Sequence, residues 1–172
     1  MPRVSRGSTF CFSPFMKIPL IIIACLVGIT FVVLLVRSRV APTYPVTARD
    51  IPVVISQLQR SGQDGHFVVL MFVPSASTDG ESVNLQYSIE GGVVGLDWVL
   101  IGPRNTADQT KVSEFAAKLG YRLDAHEMNG VRYLRVTGSG ISELGARIIQ
   151  DLYKMSPDSK LGMITEGFKW EP

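Results

Sequence analysis

A chain of 172 residues with 46% hydrophobic and 19% charged side chains is long enough for one domain and too apolar to persist as a solvated coil. Its two cysteines, Cys11 and Cys25, are too few and too close to the N-terminus to staple a secreted domain. The formal charge of +2 is unevenly spread: five of the 17 basic residues precede position 40 and all 15 acidic ones follow it, which leaves twelve against fifteen, a net of −3, and excludes nucleic acid as the expected partner for want of a clustered basic face.

The chain divides into a tail (1–16), a transmembrane helix (17–37), a linker (38–47) and an α+β soluble domain (48–172). Lys17 and Arg37 bracket nineteen uncharged residues, 18–36. At ~1.5 Å per residue they reach about 28 Å, close to the ~30 Å hydrocarbon core of a bilayer. A cleaved signal peptide has a shorter apolar region and a small-x-small site, which Val36-Arg-Ser-Arg-Val40 does not offer. Pro19 falls in the first turn, where a missing N–H costs little. Ile22-Ile-Ala-Cys25 is only a faint lipoprotein box, because mostly apolar residues follow the cysteine. Ala24 and Gly28 form a small-xxx-small pair. Arg3, Arg6 and Lys17 on one side balance Arg37, Arg39 and Arg49 on the other. Met16-Lys17 is a second candidate start. The expectation is a single-pass protein held in membrane lipid through residues 18–36, with its soluble domain on the extracytoplasmic side.

Pro42 and Pro45 keep the linker extended. Asp50 is expected to cap a helix over 51–61, with Ile51, Val54, Ile55 and Leu58 at helical spacing and Gly62 as its end. Residues 66–73 are apolar after His66, which predicts a strand covered on both faces. Residues 82–90 alternate strictly, with Val83, Leu85, Tyr87 and Ile89 on one face. Gly91-Gly92 is a hairpin turn that brings back a strand over 93–101. The register sets Ile89 against Val94, Tyr87 against Leu96, Leu85 against Trp98 and Val83 against Leu100, all facing the core. The other face mixes Asn84, Gln86, Ser88 and Asp97 with Val93, Val99 and Ile101.

Gly102-Pro103 breaks that strand. Asn105 or Thr106 is expected to cap a helix over 107–119, with Val112, Phe115, Ala116 and Leu119 as its stripe and Gly120 as its stop. Asn129-Gly130 predicts a second hairpin, 121–128 with 131–137, that pairs Ala125 with Leu134, Leu123 with Val136, Glu127 with Arg132 and Asp124 with Arg135. Its polar face, with Arg122, His126, Tyr133 and Arg135, is expected to be solvated or partner-binding. A third helix over 141–154 uses Ile141, Leu144, Ile148, Leu152 and Ile149, and residues 161–164 form a short last strand. Phe168 and Trp170 pin the tail to the domain.

Little catalytic chemistry is on offer. The domain has no cysteine, and His66 and His126 lie on different strands, so no metal is expected. No Gly-x-Ser-x-Gly elbow exposes a nucleophile. Gly138-Ser-Gly140-Ile-Ser-Glu-Leu-Gly145 has the wrong spacing for a dinucleotide loop, Asp79-Gly-Glu81 lacks calcium-loop spacing, and no cofactor is expected.

The order helix, three strands, helix, two strands, helix (αβββαββα), with the Gly91-Gly92 hairpin, the run Phe115-Ala-Ala-Lys-Leu-Gly-Tyr-Arg and the Asn129-Gly130 hairpin, resembles the type III secretion chaperone-like fold and its YbjN-like bacterial group over roughly residues 48–155. The resemblance implies an antiparallel sheet with helices on one face and a protein-binding, often dimeric module rather than an enzyme. The apolar run at 18–36 departs from it. The expected function is a membrane-anchored protein-binding module, chaperone-like or regulatory. A structural subunit of a membrane assembly and an unrecognised hydrolase are the alternatives. Val93, Val99 and Ile101, with Arg122, His126, Tyr133 and Arg135, are the candidate partner-binding residues. The three β-branched ones call for a cover: a homodimer partner, a partner protein's segment at the sheet edge, or the first helix or tail of the same chain.

Overall fold

The structure is a computed structural model that describes residues 46–75, 77 and 80–171. The tail, the apolar run 18–36 and the linker up to residue 45 lie outside the described residues. Among those that are described, no helix is long and apolar enough to cross a membrane.

The domain is α+β, with one six-stranded antiparallel sheet. The strands are β1 (Phe67–Phe72), β2 (Val83–Glu90), β3 (Val93–Val99), β4 (Asp124–Met128), β5 (Val131–Thr137) and β6 (Gly162–Glu166), and they lie in the order β4-β5-β3-β2-β1-β6. The helices are α1 (Ile51–Ser61), α2 (Pro103–Ala107), α3 (Gln109–Lys118) and α4 (Ile141–Arg147). The element order is that expected from the sequence, including the short last strand β6, which lies beside β1, and the middle helix is split in two.

Both hairpin turns form as their residues require. Gly91 and Gly92 have φ of 59° and 75°, and Asn129 and Gly130 have 53° and 77°, the paired positive φ of a type I′ turn. The Asp64 carboxylate accepts from the Gly92 and Gly91 amides at 2.7 and 3.2 Å, which ties the first turn to the end of α1. Ile89–Val94, Tyr87–Leu96, Asp124–Arg135, Ala125–Leu134 and Glu127–Arg132 pair as expected. Leu123 lies before β4 and outside its ladder.

The ladder between β2 and β3 ends at Gln86–Asp97 and does not reach Leu85–Trp98 or Val83–Leu100. Asn105, expected as a helix cap, fills the gap. Its side chain enters between the two strands, donating to the Asn84 and Val99 carbonyls at 2.8 and 2.9 Å and accepting from the Asn84 amide at 3.0 Å. The helix therefore starts earlier than expected, at Pro103, after Gly102 turns the chain at φ 86°. Trp98 donates its indole N–H to the Asn105 carbonyl at 2.9 Å. Val83, Leu85, Trp98 and Leu96 are all buried on one face, and Leu100 packs against them.

Asp50 also acts differently from expectation. A short 3-10 turn, Ala48–Asp50, precedes α1, and the Asp50 carboxylate accepts from the amide and hydroxyl of Thr47 at 2.7 and 2.8 Å. Val46 is buried and bridged to Leu161, so the domain begins inside the segment read as linker. After α4, residues Ile148–Leu152 widen into a π-turn, which buries both Ile148 and Ile149. The same widening presses the Tyr153 ring edge-on to Phe72 at 5.4 Å and lets its hydroxyl donate to Asp108 at 2.7 Å. Burial and the neighbouring carboxylate hold the Tyr153 hydroxyl well above its ordinary value.

Asp108 also accepts from Arg104 at 2.8 Å. Burial alone would raise its carboxyl pKa. Hydrogen bonds from Tyr153 and Arg104 and the charges of Lys111 and Arg104 outweigh that, and the net shift is downward. A depressed folded-state pKa contributes stability above the unfolded value of ~3.9 that is lost as pH falls through the folded one. Asp108→Asn is expected to be less stable than the parent at neutral pH and to show a shallower acid dependence below about pH 4. Denaturation midpoints against pH check this, and parallel curves would refute it.

The core lies on one face of the sheet, where α1, α3 and α4 pack over Val68, Leu70, Leu85, Tyr87, Leu96 and Trp98. The glycines that suggested a dinucleotide loop serve packing here. A Cβ on Gly145 would collide with the Tyr87 hydroxyl, and Tyr121 donates to the Gly140 carbonyl at 3.1 Å. Trp170 joins the core, and Gln57 of α1 donates to the Lys169 carbonyl at 2.9 Å, so the C-terminal tail lies beside α1 on the helical side.

Candidate protein-binding face

The opposite face of the sheet carries the residues that alternate with the core set. In register across it run Ile164, Val69, Gln86, Asp97, Arg135 and Asp124. The neighbouring rows add Phe67, Ser88, Gly95 and Thr137 on one side, and Met71 with Asn84, then Val99, Tyr133 and His126, on the other. Neither α1 nor the tail covers this face. Phe67, Val69, Met71, Val99 and Ile164 stand outside the hydrophobic core and are only partly buried.

This corrects the reading of β1 as covered on both faces. Val68, Leu70 and Phe72 are buried, while Phe67, Val69 and Met71 are only partly buried and lie outside the hydrophobic core of the described residues. A continuous apolar run is the mark of a strand that prefers two covers, and within the described domain only one is present.

The polar half corrects a second expectation. Tyr133 and Arg135, expected on a solvated or partner-binding face, are 7% and 5% exposed. The Arg135 guanidinium lies flat over Gly95, where a Cβ would fall within the guanidinium group. It pairs with Asp97 at 2.5 Å and Glu90 at 3.2 Å, and donates to Ser88 Oγ at 2.9 Å and to the Ser88 and Val93 carbonyls at 3.3 and 3.2 Å. Ser88 donates its hydroxyl to Asp97 at 2.5 Å. Tyr133 donates to Glu90 at 3.1 Å, and His126 stacks on the Tyr133 ring at 5.5 Å. Burial raises the Asp97 pKa despite the opposing pull of Ser88 and Arg135. Burial and the hydrogen bond to Glu90 raise that of Tyr133.

The seven candidate residues fall into three places. Arg122, His126 and Arg135 come together around an open cleft of about 430 Å³ that Glu90, Tyr121 and Asp124 also line. Val99 is paired with Tyr133, and Val93 is half-exposed beside the Arg135 guanidinium. Ile101 is 56% exposed beyond the end of β3 and is not drawn into the cleft. The charges around the cleft are engaged with one another: Arg122 holds Asp124 at 2.8 Å, and Arg135 holds Asp97 and Glu90. The Tyr121 hydroxyl is committed to Gly140. Among the described residues no group of three or more His, Cys, Asp or Glu is placed to hold a metal ion.

Sequence reasoning missed Phe67, Val69, Met71 and Ile164 as members of this face, and Glu90 as a partner of Arg135. The alternation of β1 was visible, but an all-apolar strand does not show which of its faces is uncovered. Comparison with protein-family models, with curated proteins and with solved structures finds no match to this chain.

Proposed function

We propose that this chain is a membrane-anchored protein-binding module, chaperone-like or regulatory, that holds a protein partner on the open face of its sheet. The carrying observation is the partly exposed apolar set outside the core, Phe67, Val69, Met71, Val99 and Ile164, joined by half-exposed Val93 and Ile101. The apolar patch on β1 and β6, flanked by the polar side chains of β2, is the kind of surface that marks an interaction site rather than ordinary surface. Binding is favoured over hydrolysis because the charged Arg122, Asp124, Arg135 and Glu90 of the neighbouring cleft are held in ion pairs rather than set beside a nucleophile to activate it. The chaperone-like part of the reading rests on the resemblance of the helix, three-strand, helix, two-strand, helix order to secretion-chaperone-like modules. The nineteen uncharged residues 18–36 supply the anchor.

Two measurements test this reading. The full-length chain is expected to stay in the membrane pellet through high-salt and carbonate washes, and its release by carbonate removes the anchor. Val99→Thr with Ile101→Thr is expected to leave the folding midpoint within about 1 kcal/mol of the parent, as for partly exposed positions, while partner crosslinking is lost. A collapse of the midpoint instead makes these residues ordinary core and ends the proposal.

A further inference from the structure

Resting on the reading of residues 18–36 as an anchor, we infer that one end of the sheet touches the lipid surface, with Val73, Ile101 and Met128 set into the boundary between headgroups and acyl chains. Among the described residues the exposed large hydrophobic ones are Val53, Val73, Val93, Ile101 and Met128. Val73, Ile101 and Met128 share one end of the sheet. There β1, β3 and β4 finish, and β2, β5 and β6 start. Met128 pairs with Val131 across the Asn129-Gly130 turn. The Leu100 amide donates to the Arg132 carbonyl at 2.9 Å, which carries the chain along β5 beyond Val99 and sets Ile101 beside Val131. Val73 follows directly on β1. The three are 49%, 56% and 50% exposed. Four strand spacings of ~4.8 Å separate Val73 from Met128, so they form a row about 19 Å long across the end of the sheet. A row of that shape fits a broad, flat apolar boundary.

The chain enters the domain at this same end. Val46 is bridged to Leu161, the residue before β6, and β6 begins beside Met71, near the end of β1. From Arg37, which closes the uncharged run, to Val46 is nine residues, at most about 30 Å when fully extended. A tether of that length keeps the row within reach of the lipid and at high effective concentration there. Binding at the interface scales with the apolar area buried, so three side chains would hold a free domain only weakly; as a second, intramolecular contact beside an anchor they suffice. Val93 is the contrast. It is 50% exposed, like Met128, but follows the Gly91-Gly92 turn at the opposite end of the sheet, about 20 Å away. The protein partner keeps the patch farther along the face, around Phe67, Val69 and Ile164, and Ile101 stands where the two surfaces meet.

The test uses the full chain, with Cys11→Ser and Cys25→Ser to remove the native thiols, reconstituted without other proteins in phosphatidylcholine vesicles whose upper acyl chains carry a nitroxide quencher. A polarity-sensitive fluorophore is attached in turn to Val73→Cys, Met128→Cys and, as the control of matching exposure, Val93→Cys. The labels at Val73 and Met128 are expected to emit to the blue of the Val93 label and to lose about half their emission or more to the quencher, because interfacial side chains sit about 5–10 Å into the boundary. The Val93 label is expected to lose little. Adding Met128→Asp to the labelled Val73→Cys chain is expected to release the row, cutting its quenching severalfold at an unchanged folding midpoint, as for an exposed position. Quenching at Val73 and Met128 no greater than at Val93 overturns the lipid contact, leaves the anchor in place and returns the row to the protein-binding face. Quenching at Val73 that survives Met128→Asp shows that the fluorophore itself is drawn into lipid, and overturns the contact in the same way. A chain that does not float with the vesicles overturns the anchor and the contact together.

Discussion

Trp98→Ala is expected to cost about 3–5 kcal/mol in an equilibrium urea titration, the range for truncating a fully buried large aromatic. Trp98 is 1% exposed on the core face of β3, directly across from Leu134 on β5, and its indole N–H donates to the Asn105 carbonyl. Truncation removes the packing of the ring, opens a cavity under the helices, and leaves a buried carbonyl without its donor. Asn105 is also the residue whose side chain closes the splayed ends of β2 and β3, so damage at Trp98 reaches the end of the central ladder as well as the core. Against a total stability of order 5–15 kcal/mol, the variant is expected to be close to unfolded at physiological temperature. A loss under ~1 kcal/mol would mean that the indole does not sit in the core and that the register of β3 is displaced by one residue.

Arg135→Met is expected to be comparably damaging, about 3–5 kcal/mol, for an electrostatic reason. Asp97 is fully buried, and Arg135 supplies both its counter-charge and one of its hydrogen bonds. Removing the arginine leaves a buried carboxylate with Ser88 alone and with Glu90 nearby as a like charge. Burial already raises the Asp97 pKa, and the variant loses the two Arg135 effects that oppose the rise. A raised folded-state pKa means that stability is fully present below the unfolded value of ~3.9 and is lost as pH rises through the folded value. The deficit of Arg135→Met relative to the parent is therefore expected to be large at pH 7 and to narrow on acidification. Adding Asp97→Leu is expected to recover most of the loss, because replacing both members of a buried pair with apolar groups removes the desolvated charge altogether. A single variant as stable as the parent at pH 7, or a double variant no better than the single, would show that the pair is not desolvated in solution.

Much of the fold was legible because its signals are local. Gly91-Gly92 and Asn129-Gly130 demand positive φ at consecutive residues, and each turn then dictates its hairpin register residue by residue, down to Asp124 opposite Arg135. The alternation of Val83, Leu85, Tyr87 and Ile89 identified the buried face of β2, and helical spacing in α1 identified Ile51, Val54, Ile55 and Leu58. Of the candidate site, the residue set Arg122, His126, Tyr133 and Arg135 was legible as the second face of a hairpin. Its burial was not.

What only the tertiary structure decided are the pairings between elements far apart in sequence. Arg135 is buried because β5 lies beside β3, which brings Asp97 directly across from it and leaves Gly95 as the flat seat for its guanidinium. Asn105 became a strand insert rather than a helix cap because the β2 and β3 ends splay within its reach. Phe67, Val69 and Met71 belong to an open face because α1, α4 and the tail with Trp170 all gather on the other side of the sheet. Turn geometry and side-chain period follow from short-range sterics that a few residues carry by themselves. Which strands become neighbours, and which apolar face is left uncovered, depends on how the whole chain divides its burial between two sides of one sheet, and an apolar residue has the same local sequence whether its cover comes from its own chain or from another molecule.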